Sequence, residues 1–310
     1  MQINKIEPQG FCGGVKRAID IATKVVNDTS TLRPIYMLGS LIHNEHIINE
    51  FKNKGVIVLD DKLSKEEMVS SISSGTVIIS AHGISPTIYN MAKTKGLNII
   101  DTTCPYVELV HKNITNAIKD DKEIIYIGTN NHPEVKGVLG ISDKIHLVTN
   151  ELDIKNLKLN TLNPYVTNQT TLSIYDINDY YDLIKSIYPN AYLDNKICNA
   201  TTERQKAVIE QKPTDLCIIV GDKKSSNTKK LVSVSESAGI KTILIDSVND
   251  LKDYKLDNIN TISISSGAST PSYLVDEIIN YLKVKAWKCF HYFFYKKIFN
   301  RKNNCYKINA

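Results

Sequence analysis

Apolar and polar positions alternate along the chain in a pattern that occurs three times. Short apolar runs typical of buried strands, such as EIIYIG and DLCIIVG, alternate with stretches whose apolar residues recur at helical spacing, such as VKRAIDIATKVV. Cys12, Cys104 and Cys198 lie 92 and 94 residues apart, and each stands just before one of the helical stretches. Strand-like runs that alternate with helices predict parallel sheets with crossover helices, so we predict three similar α/β repeats.

Polar residues follow an apolar run at two places in each repeat. The first place lies about 30 residues after the cysteine, and the second lies about 40 residues further on. The first set comprises His43, His132, Glu134, Ser225, Ser226 and Asn227, and the second comprises His82, Thr170 and Ser269. Ligands of open α/β sheets collect beyond the carboxyl ends of the strands. We therefore expect these polar residues and the three cysteines to converge on one central pocket.

The repeats divide the chain into three predicted α/β domains, residues 1–100, 101–195 and 196–282, followed by a tail of residues 283–310. The tail contains eight Lys or Arg residues and no acidic residue, so the net charge of +5 conceals a body with a charge of about −3. This distribution argues against a nucleic-acid binder built from the whole chain. The tail interleaves aromatic and basic residues, which could contact an anionic membrane or single-stranded nucleic acid. It has no clear helical period, and we favour a disordered or accidental extension.

The six cysteines are not expected to form a disulfide framework. The chain has no apolar segment behind a basic amino terminus and no apolar run that could span a bilayer, which predicts a cytoplasmic protein with reduced thiols. Thiolates at helix starts are stabilised by the helix dipole, which lowers their pKa. Three converging thiolates form a soft site that suits zinc, copper(I) or an iron–sulfur cluster. A 4Fe-4S cluster held by three cysteines would keep one iron open for a substrate.

Two other interpretations of the cysteines remain. Zinc could take His43, His82 or His132 as a fourth ligand, although structural zinc sites usually have close ligand pairs such as Cys-x-x-Cys, which the chain lacks. Each cysteine could also be a buried structural thiol, because free cysteines are often buried. The common spacing and the common position at a helix start favour a shared metal site over both.

The polar residues indicate an anionic ligand. Histidine, Ser and Thr hydroxyls, the Asn amide and helix N–H groups can all donate to phosphate oxygens. The chain has neither a Walker P-loop nor a Gly-x-Gly-x-x-Gly fingerprint near its first strands, so no nucleotide is specifically indicated. Glu134, close to a desolvated metal site, could have a raised pKa and donate a proton, or it could be an ordinary first-turn glutamate.

Nine short segments together resemble one known family. They are GFCGGVKRAI, LIHNEH, SAHGIS, DTTCPYV, NNHPEV, NQTTLS, ICNATTERQ, GDKKSSNT and SSGASTP, and they extend in order over residues 1–282. On these motifs the chain resembles the 4-hydroxy-3-methylbut-2-enyl diphosphate reductases, the LytB family of the non-mevalonate isoprenoid pathway. Two departures are Lys196, where threonine is frequent, and Ser265–Ser266, where Thr-Ala is common. Neither departure removes a proposed ligand.

The resemblance implies a trefoil of three similar α/β domains with pseudo-threefold symmetry around a central iron–sulfur cluster. Cys12, Cys104 and Cys198 would hold one 4Fe-4S cluster, and Glu134 would relay protons. The implied substrate-binding residues are His43, His82, His132, Thr170, Ser225, Ser226, Asn227 and Ser269. The implied reaction is the two-electron, two-proton reductive dehydroxylation of 4-hydroxy-3-methylbut-2-enyl diphosphate to isopentenyl and dimethylallyl diphosphate. The electrons would come from an external carrier such as ferredoxin or flavodoxin.

Overall fold

The computed structural model describes residues 1–252, 254–256 and 258–285. Most of the predicted basic aromatic tail, residues 286–310, therefore lies outside the described residues. Within the described part of the chain, no helix combines the length and the apolar character that a bilayer-spanning segment needs.

Twelve strands form three parallel four-stranded sheets among the described residues. The first sheet contains β2 (Ile35–Met37), β3 (Ile57–Val58), β4 (Thr76–Ile79) and β5 (Asn98–Asp101), in the order β3-β2-β4-β5. The second contains β6 (Ile124–Ile127), β7 (Ile145–Val148), β8 (Tyr165–Asn168) and β9 (Tyr192–Asp194), in the order β7-β6-β8-β9. The third contains β1 (Gln2–Lys5), β10 (Leu216–Val220), β11 (Thr242–Ile245) and β12 (Thr261–Ser266), in the order β1-β12-β10-β11. The predicted α/β class with three parallel sheets is confirmed.

The three sheets share one topology because β1 completes the third sheet. In the first two sheets the fourth strand of the repeat, β5 or β9, forms the edge next to the third strand. In the third sheet this edge is taken by β1, whose residues Gln2–Lys5 pair with residues 261–264 of β12. The first strand of the chain thus belongs to the third sheet, although it falls in the range predicted for the first domain. The division at residues 100 and 195 stays a prediction.

Helices connect the strands, as parallel pairing requires. They are α1 (Gly13–Asn27), α2 (Glu45–Asn53), α3 (Lys65–Ser71), α4 (Pro86–Thr94), α5 (Pro105–Lys119), α6 (Pro133–Leu139), α7 (Glu151–Asn156), α8 (Ile174–Ile187), α9 (Asn199–Ile209), α10 (Ser226–Ser237) and α11 (Val248–Lys252). Residues 272–285 are also helical. Several starts follow from local sequence: Ser64 and Glu67 form a capping box at α3, and Ser85 caps α4 with Pro86 at its first position.

The core lies on both faces of each sheet. All residues of β4, β6, β8 and β10 are buried, which explains why β6 and β10 appear in the sequence as continuous apolar runs. Amphipathic helices supply the covering layers; α5, for example, buries Val110 and Ile114 against β6. Each sheet therefore holds its strand ends rigidly, and the polar residues that follow those ends are positioned by the core.

Candidate active site

One cavity of about 100 Å³ is lined by all twelve residues that the sequence singled out. They are Cys12, Cys104, Cys198, His43, His82, His132, Glu134, Thr170, Ser225, Ser226, Asn227 and Ser269. The predicted convergence of the three repeats on a central pocket is thus observed. We call Cys12, Cys104 and Cys198 the thiol wall of this cavity, and the other nine residues the polar wall.

The three cysteines occupy equivalent positions in the three repeats. Each is the N-cap residue of the helix that follows an edge strand: Cys12 before α1, Cys104 before α5 and Cys198 before α9. None of their side chains makes a capping hydrogen bond, and all three thiols are free and only partly exposed. The repeat therefore delivers one unengaged sulfur from each domain to a common wall.

Gly14 leaves room for this approach. A Cβ atom built on Gly14 would lie 2.5 Å from the Cys104 Sγ, whereas one built on the adjacent Gly13 would meet nothing within 4 Å. A contact of 2.5 Å is far shorter than van der Waals contact, so any larger residue at position 14 would displace the Cys104 thiol. The glycine is required by the closeness of two repeats at the thiol wall.

Burial is the main cause of a pKa shift in two of these thiols. It raises the pKa of Cys104 to about 11, aided by the charges of Cys12 and Cys198 and opposed by backbone N–H groups of α5. Burial also raises the pKa of Cys198, against the lowering effect of N–H groups at the start of α9. For these thiols the predicted lowering of the pKa is wrong in the metal-free protein, because desolvation outweighs the helix N–H groups. A bound metal cation would supply the missing positive charge.

The three predicted histidines form a cluster on the polar wall. The ring centroid of His82 lies 4.5 Å from that of His43 and 5.5 Å from that of His132. Burial is the main cause of a lowered pKa in each ring, to about 3 for His132. Neighbouring positive charges contribute to the lowering in His82 and His132, whereas the carboxylates of Asp222 and Asp61 oppose it in His43. One potential ligand atom from each ring lies within 4.8 Å of the others. At neutral pH the cluster is uncharged, and it could hold a metal ion or donate N–H groups to an anion.

Glu134 is buried in the second domain beside this cluster. It follows Pro133, the first residue of α6, and only 1% of it is exposed. Its Oε1 accepts hydrogen bonds from the Thr170 backbone N–H at 2.8 Å and the Tyr126 hydroxyl at 3.3 Å, and its Oε2 accepts from the Thr170 hydroxyl at 2.9 Å. Burial raises the pKa of Glu134 to about 7 although these hydrogen bonds oppose it. The predicted rise is confirmed, and the carboxyl can gain or lose a proton near neutrality.

The third domain contributes hydroxyl and amide groups. Ser225 is the N-cap of α10, and the Ser269 hydroxyl donates to the His43 backbone oxygen at 3.0 Å. Asn227 is only 5% exposed, yet neither amide atom of its side chain has a hydrogen-bond partner among the described residues, and the same holds for His43 Nε2. Buried polar atoms are nearly always paired in proteins, so these atoms are free to bind a ligand.

Some cavity residues were not predicted from the sequence. Tyr126 contacts Glu134, and Thr171 and Thr201 line the cavity with several small apolar side chains. A tyrosine within the aliphatic strand EIIYI was a signal for Tyr126, because its hydroxyl needs a partner when buried. Thr171 and Thr201 lie inside the segments NQTTLS and ICNATTERQ; Thr171 adjoins the predicted Thr170, and Thr201 lies three residues after the predicted Cys198.

Three α/β units, each with a parallel sheet, surround one cavity and contribute one thiol each to it. This arrangement defines a trefoil α/β protein with a candidate three-cysteine metal centre. The chain belongs to the LytB family, because the family model described as LytB protein matches residues 3–283. It is 42% identical over 286 residues to a 4-hydroxy-3-methylbut-2-enyl diphosphate reductase of Bacillus pumilus, with 91% of each chain covered. The corresponding protein of Bacillus subtilis gives the same identity and coverage.

Solved structures support the same assignment. The chain is similar to the E-1-hydroxy-2-methyl-but-2-enyl-4-diphosphate reductase of Plasmodium falciparum, with a TM-score of 0.83, 34% identity, and coverage of 91% of this chain and 87% of the other. A second structure, of an (E)-4-hydroxy-3-methyl-but-2-enyl diphosphate reductase, gives a TM-score of 0.64 and 31% identity, with coverage of 91% and 99%. The sequence and the structural comparisons therefore assign the chain to the same family and the same fold.

Proposed function

We propose that the protein is a reductase that converts 4-hydroxy-3-methylbut-2-enyl diphosphate to isopentenyl and dimethylallyl diphosphate. The substrate loses its hydroxyl group as water and takes up two electrons and two protons. The observation that carries this proposal is that one thiol from each domain shares a single cavity with neutral donors and a protonatable carboxyl. The names of the relatives supply the substrate.

The thiol wall fits an iron–sulfur cluster by its chemistry. Three free cysteines on separate helices face one cavity, and Gly14 leaves the space beside Cys104 that a side chain would fill. Soft sulfur donors suit iron–sulfur clusters, and three of them match a 4Fe-4S cluster with one iron free of protein ligand. When bound, the cluster would supply the electron path from an external carrier such as ferredoxin or flavodoxin and a Lewis-acid site for the substrate oxygen.

The polar wall would bind the diphosphate through neutral hydrogen-bond donors. His132 Nδ1 accepts from the Glu134 backbone N–H at 3.2 Å, so the neutral ring carries its proton on Nε2 and can donate it. The Asn227 amide and the free N–H groups at the start of α10 add donors from the third domain. Thr170, Ser225, Ser226, Ser269, His43 and His82 would complete the set. Together these groups would hold the anion without placing a permanent charge in the cavity.

Glu134 would deliver the protons. Its pKa of about 7 keeps a large fraction of the carboxyl protonated at neutral pH. Thr170 and Tyr126 donate to both carboxylate oxygens, so the deprotonated form is also stabilised after the transfer. A buried acid that is poised near the working pH is well suited to general acid catalysis.

Anaerobic isolation provides the direct test. We expect a brown protein with a broad visible absorption band and equal iron and sulfide content, close to four of each per chain. The same preparation should reduce the allylic diphosphate with a chemical or protein electron donor. A colourless protein with one tightly bound zinc ion would instead support the zinc alternative and overturn the proposal.

A further inference from the structure

Two open cavities of opposite charge meet at His43. The first, of about 430 Å³, is lined by Lys224, Lys229 and Lys230 and by no carboxylate. We call it the basic cavity. The second, of about 400 Å³, is the acidic cavity, and its charged lining residues are Glu45, Asp60, Asp61, Asp222, Lys52 and Lys224. Either one could connect solvent to the polar wall, but only the basic cavity would attract an anion.

The basic cavity leads directly to the diphosphate donors. It shares His43, His132 and Ser226 with the central cavity, and it adds Asn130 and Asn131 from the loop before His132. An anion in the basic cavity therefore already borders residues from all three domains. The acidic cavity shares only His43 with the central one.

Lys229 is the lysine of this cavity whose charge is not compensated. Lys224 is 3.1 Å from Glu45 of the first domain, and Lys230 pairs with Asp176 of the second. Lys229 is exposed in the first turns of α10 and has no ion pair within residues 1–252, 254–256 and 258–285. Its charge nevertheless reaches the polar wall, because it lowers the pKa of both His43 and His132.

We propose that the basic cavity is the entrance through which the diphosphate reaches the polar wall, and that Lys229 is the residue that attracts it there. This inference rests on the proposed function, because it assigns the path of that substrate. A polyanion gains several times more from one uncompensated cation than a singly charged ion does, and the attraction is screened by salt. The four carboxylates of the acidic cavity repel the same anion, which makes the choice of path electrostatic.

Removal of the Lys229 charge, with a matched control variant, tests whether the basic cavity is the entrance. Lys229→Gln removes one positive charge at the basic cavity, and Lys212→Gln removes one from an exposed lysine that precedes β10, at the opposite end of the same sheet. We expect Lys229→Gln to weaken the binding of inorganic pyrophosphate by about threefold at low salt and to flatten its dependence on ionic strength. The same variant should raise KM for the allylic diphosphate rather than lower kcat. Lys212→Gln should match the wild type in all of these measurements.

The outcomes separate the two proposals. If the wild type reduces the allylic diphosphate and both variants show the same salt dependence as the wild type, the entrance is wrong and the proposed function stands. If the wild type binds pyrophosphate in a manner that depends on Lys229 but does not reduce the allylic diphosphate, the entrance stands and the proposed function is wrong. Titration calorimetry of the anaerobically isolated holoenzyme at two ionic strengths, with steady-state kinetics beside it, provides both readouts.

Discussion

The thiol wall and the polar wall of the central cavity differ in how strictly they repeat. Cys12, Cys104 and Cys198 occupy the same position in all three units, as N-cap residues after an edge strand. The polar wall repeats less strictly: the third strands β4, β8 and β12 are followed by three different residue types, His82, Thr170 and Ser269. Identical ligands suit a bound group that itself has a threefold axis. Different donors suit an elongated substrate that has none.

The two walls are alike in their electrostatics. Burial is the largest cause of the raised pKa of Cys104 and Glu134 and of the lowered pKa of His82 and His132. Each group is thereby driven toward its neutral form, because charging it in a buried site is costly. These side chains thus contribute little charge of their own, and a cationic metal on one wall and an anionic substrate on the other would compensate each other.

Removal of one thiol should have the largest effect, since it breaks the symmetry of the thiol wall. We expect Cys198→Ala to lose essentially all cluster-derived iron and visible absorption, and with them all reductase activity, because two thiols from the chain cannot hold the cluster. Cys217→Ala is the matched control: Cys217 is a fully buried thiol in β10 that lies outside the cavity. It should keep the cluster and lose only about 1 kcal/mol of stability. Iron and sulfide analysis decides, and a Cys198→Ala protein with full iron content would refute the shared centre.

Glu134→Gln tests whether the polar wall supplies the proton. Gln can accept from the Thr170 N–H and donate to the Thr170 hydroxyl, so it fits the site that Glu134 occupies. We expect kcat to fall by about 100-fold or more, as for the loss of a general acid, with the visible spectrum unchanged. In the wild type, kcat/KM should decline as the pH rises through about 7, because Glu134 loses its proton there.

Glu134→Gln lowers the expected kcat, but it should make the folded protein less sensitive to a rise in pH. The folded pKa of Glu134 is raised from 4.5 to about 7, so its contribution to stability is complete below pH 4.5 and is lost as the pH rises through 7. This difference corresponds to about 3 kcal/mol. The cluster-free Glu134→Gln protein should therefore lose less stability than the wild type between pH 5 and 8. Chemical unfolding at pH 5 and pH 8 measures the loss of unfolding free energy in each protein. Equal losses in the variant and the wild type would contradict a buried Glu134 with a raised pKa.

Gly14→Ala should disturb the thiol wall without removing a ligand. The added methyl group would lie 2.5 Å from Cys104 Sγ, so the sulfur must shift and the cluster should be held loosely. We expect the cluster content after aerobic handling to fall by about threefold or more, since metal sites tolerate little misplacement of a ligand. Gly13→Ala adds the same methyl group one residue earlier in α1, where it meets nothing within 4 Å. Equal iron contents in the two variants would show that the close approach has no role.

The repeated features of the molecule were predictable from the sequence. The cysteine spacing located three helix starts, and each apolar run that was followed by polar residues proved to be a buried strand whose end reaches the cavity. These features are local: a strand and the polar residue that follows it lie within one segment, and periodicity reveals them. The same reasoning placed Glu134 in a desolvated site.

Features that depend on distant pairing were not predictable. The pairing of β1 with β12 joins residues more than 250 positions apart, and nothing in the sequence QINK indicates its partner. The hydrogen bonds from Thr170 to Glu134 cross 36 positions, so the two residues were singled out separately. The predicted direction of the Cys104 pKa shift was wrong, because the helix start is visible in the sequence whereas the depth of burial is not.

Asn227→Ala should leave the cluster and the proton donor intact, and it tests whether the polar wall sacrifices stability for binding. Both amide atoms of Asn227 are buried and have no partner among the described residues, which costs the fold about 1 kcal/mol that a ligand would recover. We expect the variant to bind inorganic pyrophosphate about tenfold more weakly than the wild type. Its free energy of unfolding should be about 1 kcal/mol higher, so the variant should be more stable. Asn90→Ala, at an exposed position of α4, controls for helix propensity and should raise stability by about 0.5 kcal/mol without a change in binding. A variant that binds pyrophosphate normally would show that Asn227 does not bind the anion, and a variant that is less stable than the wild type would show that its amide stabilises the fold.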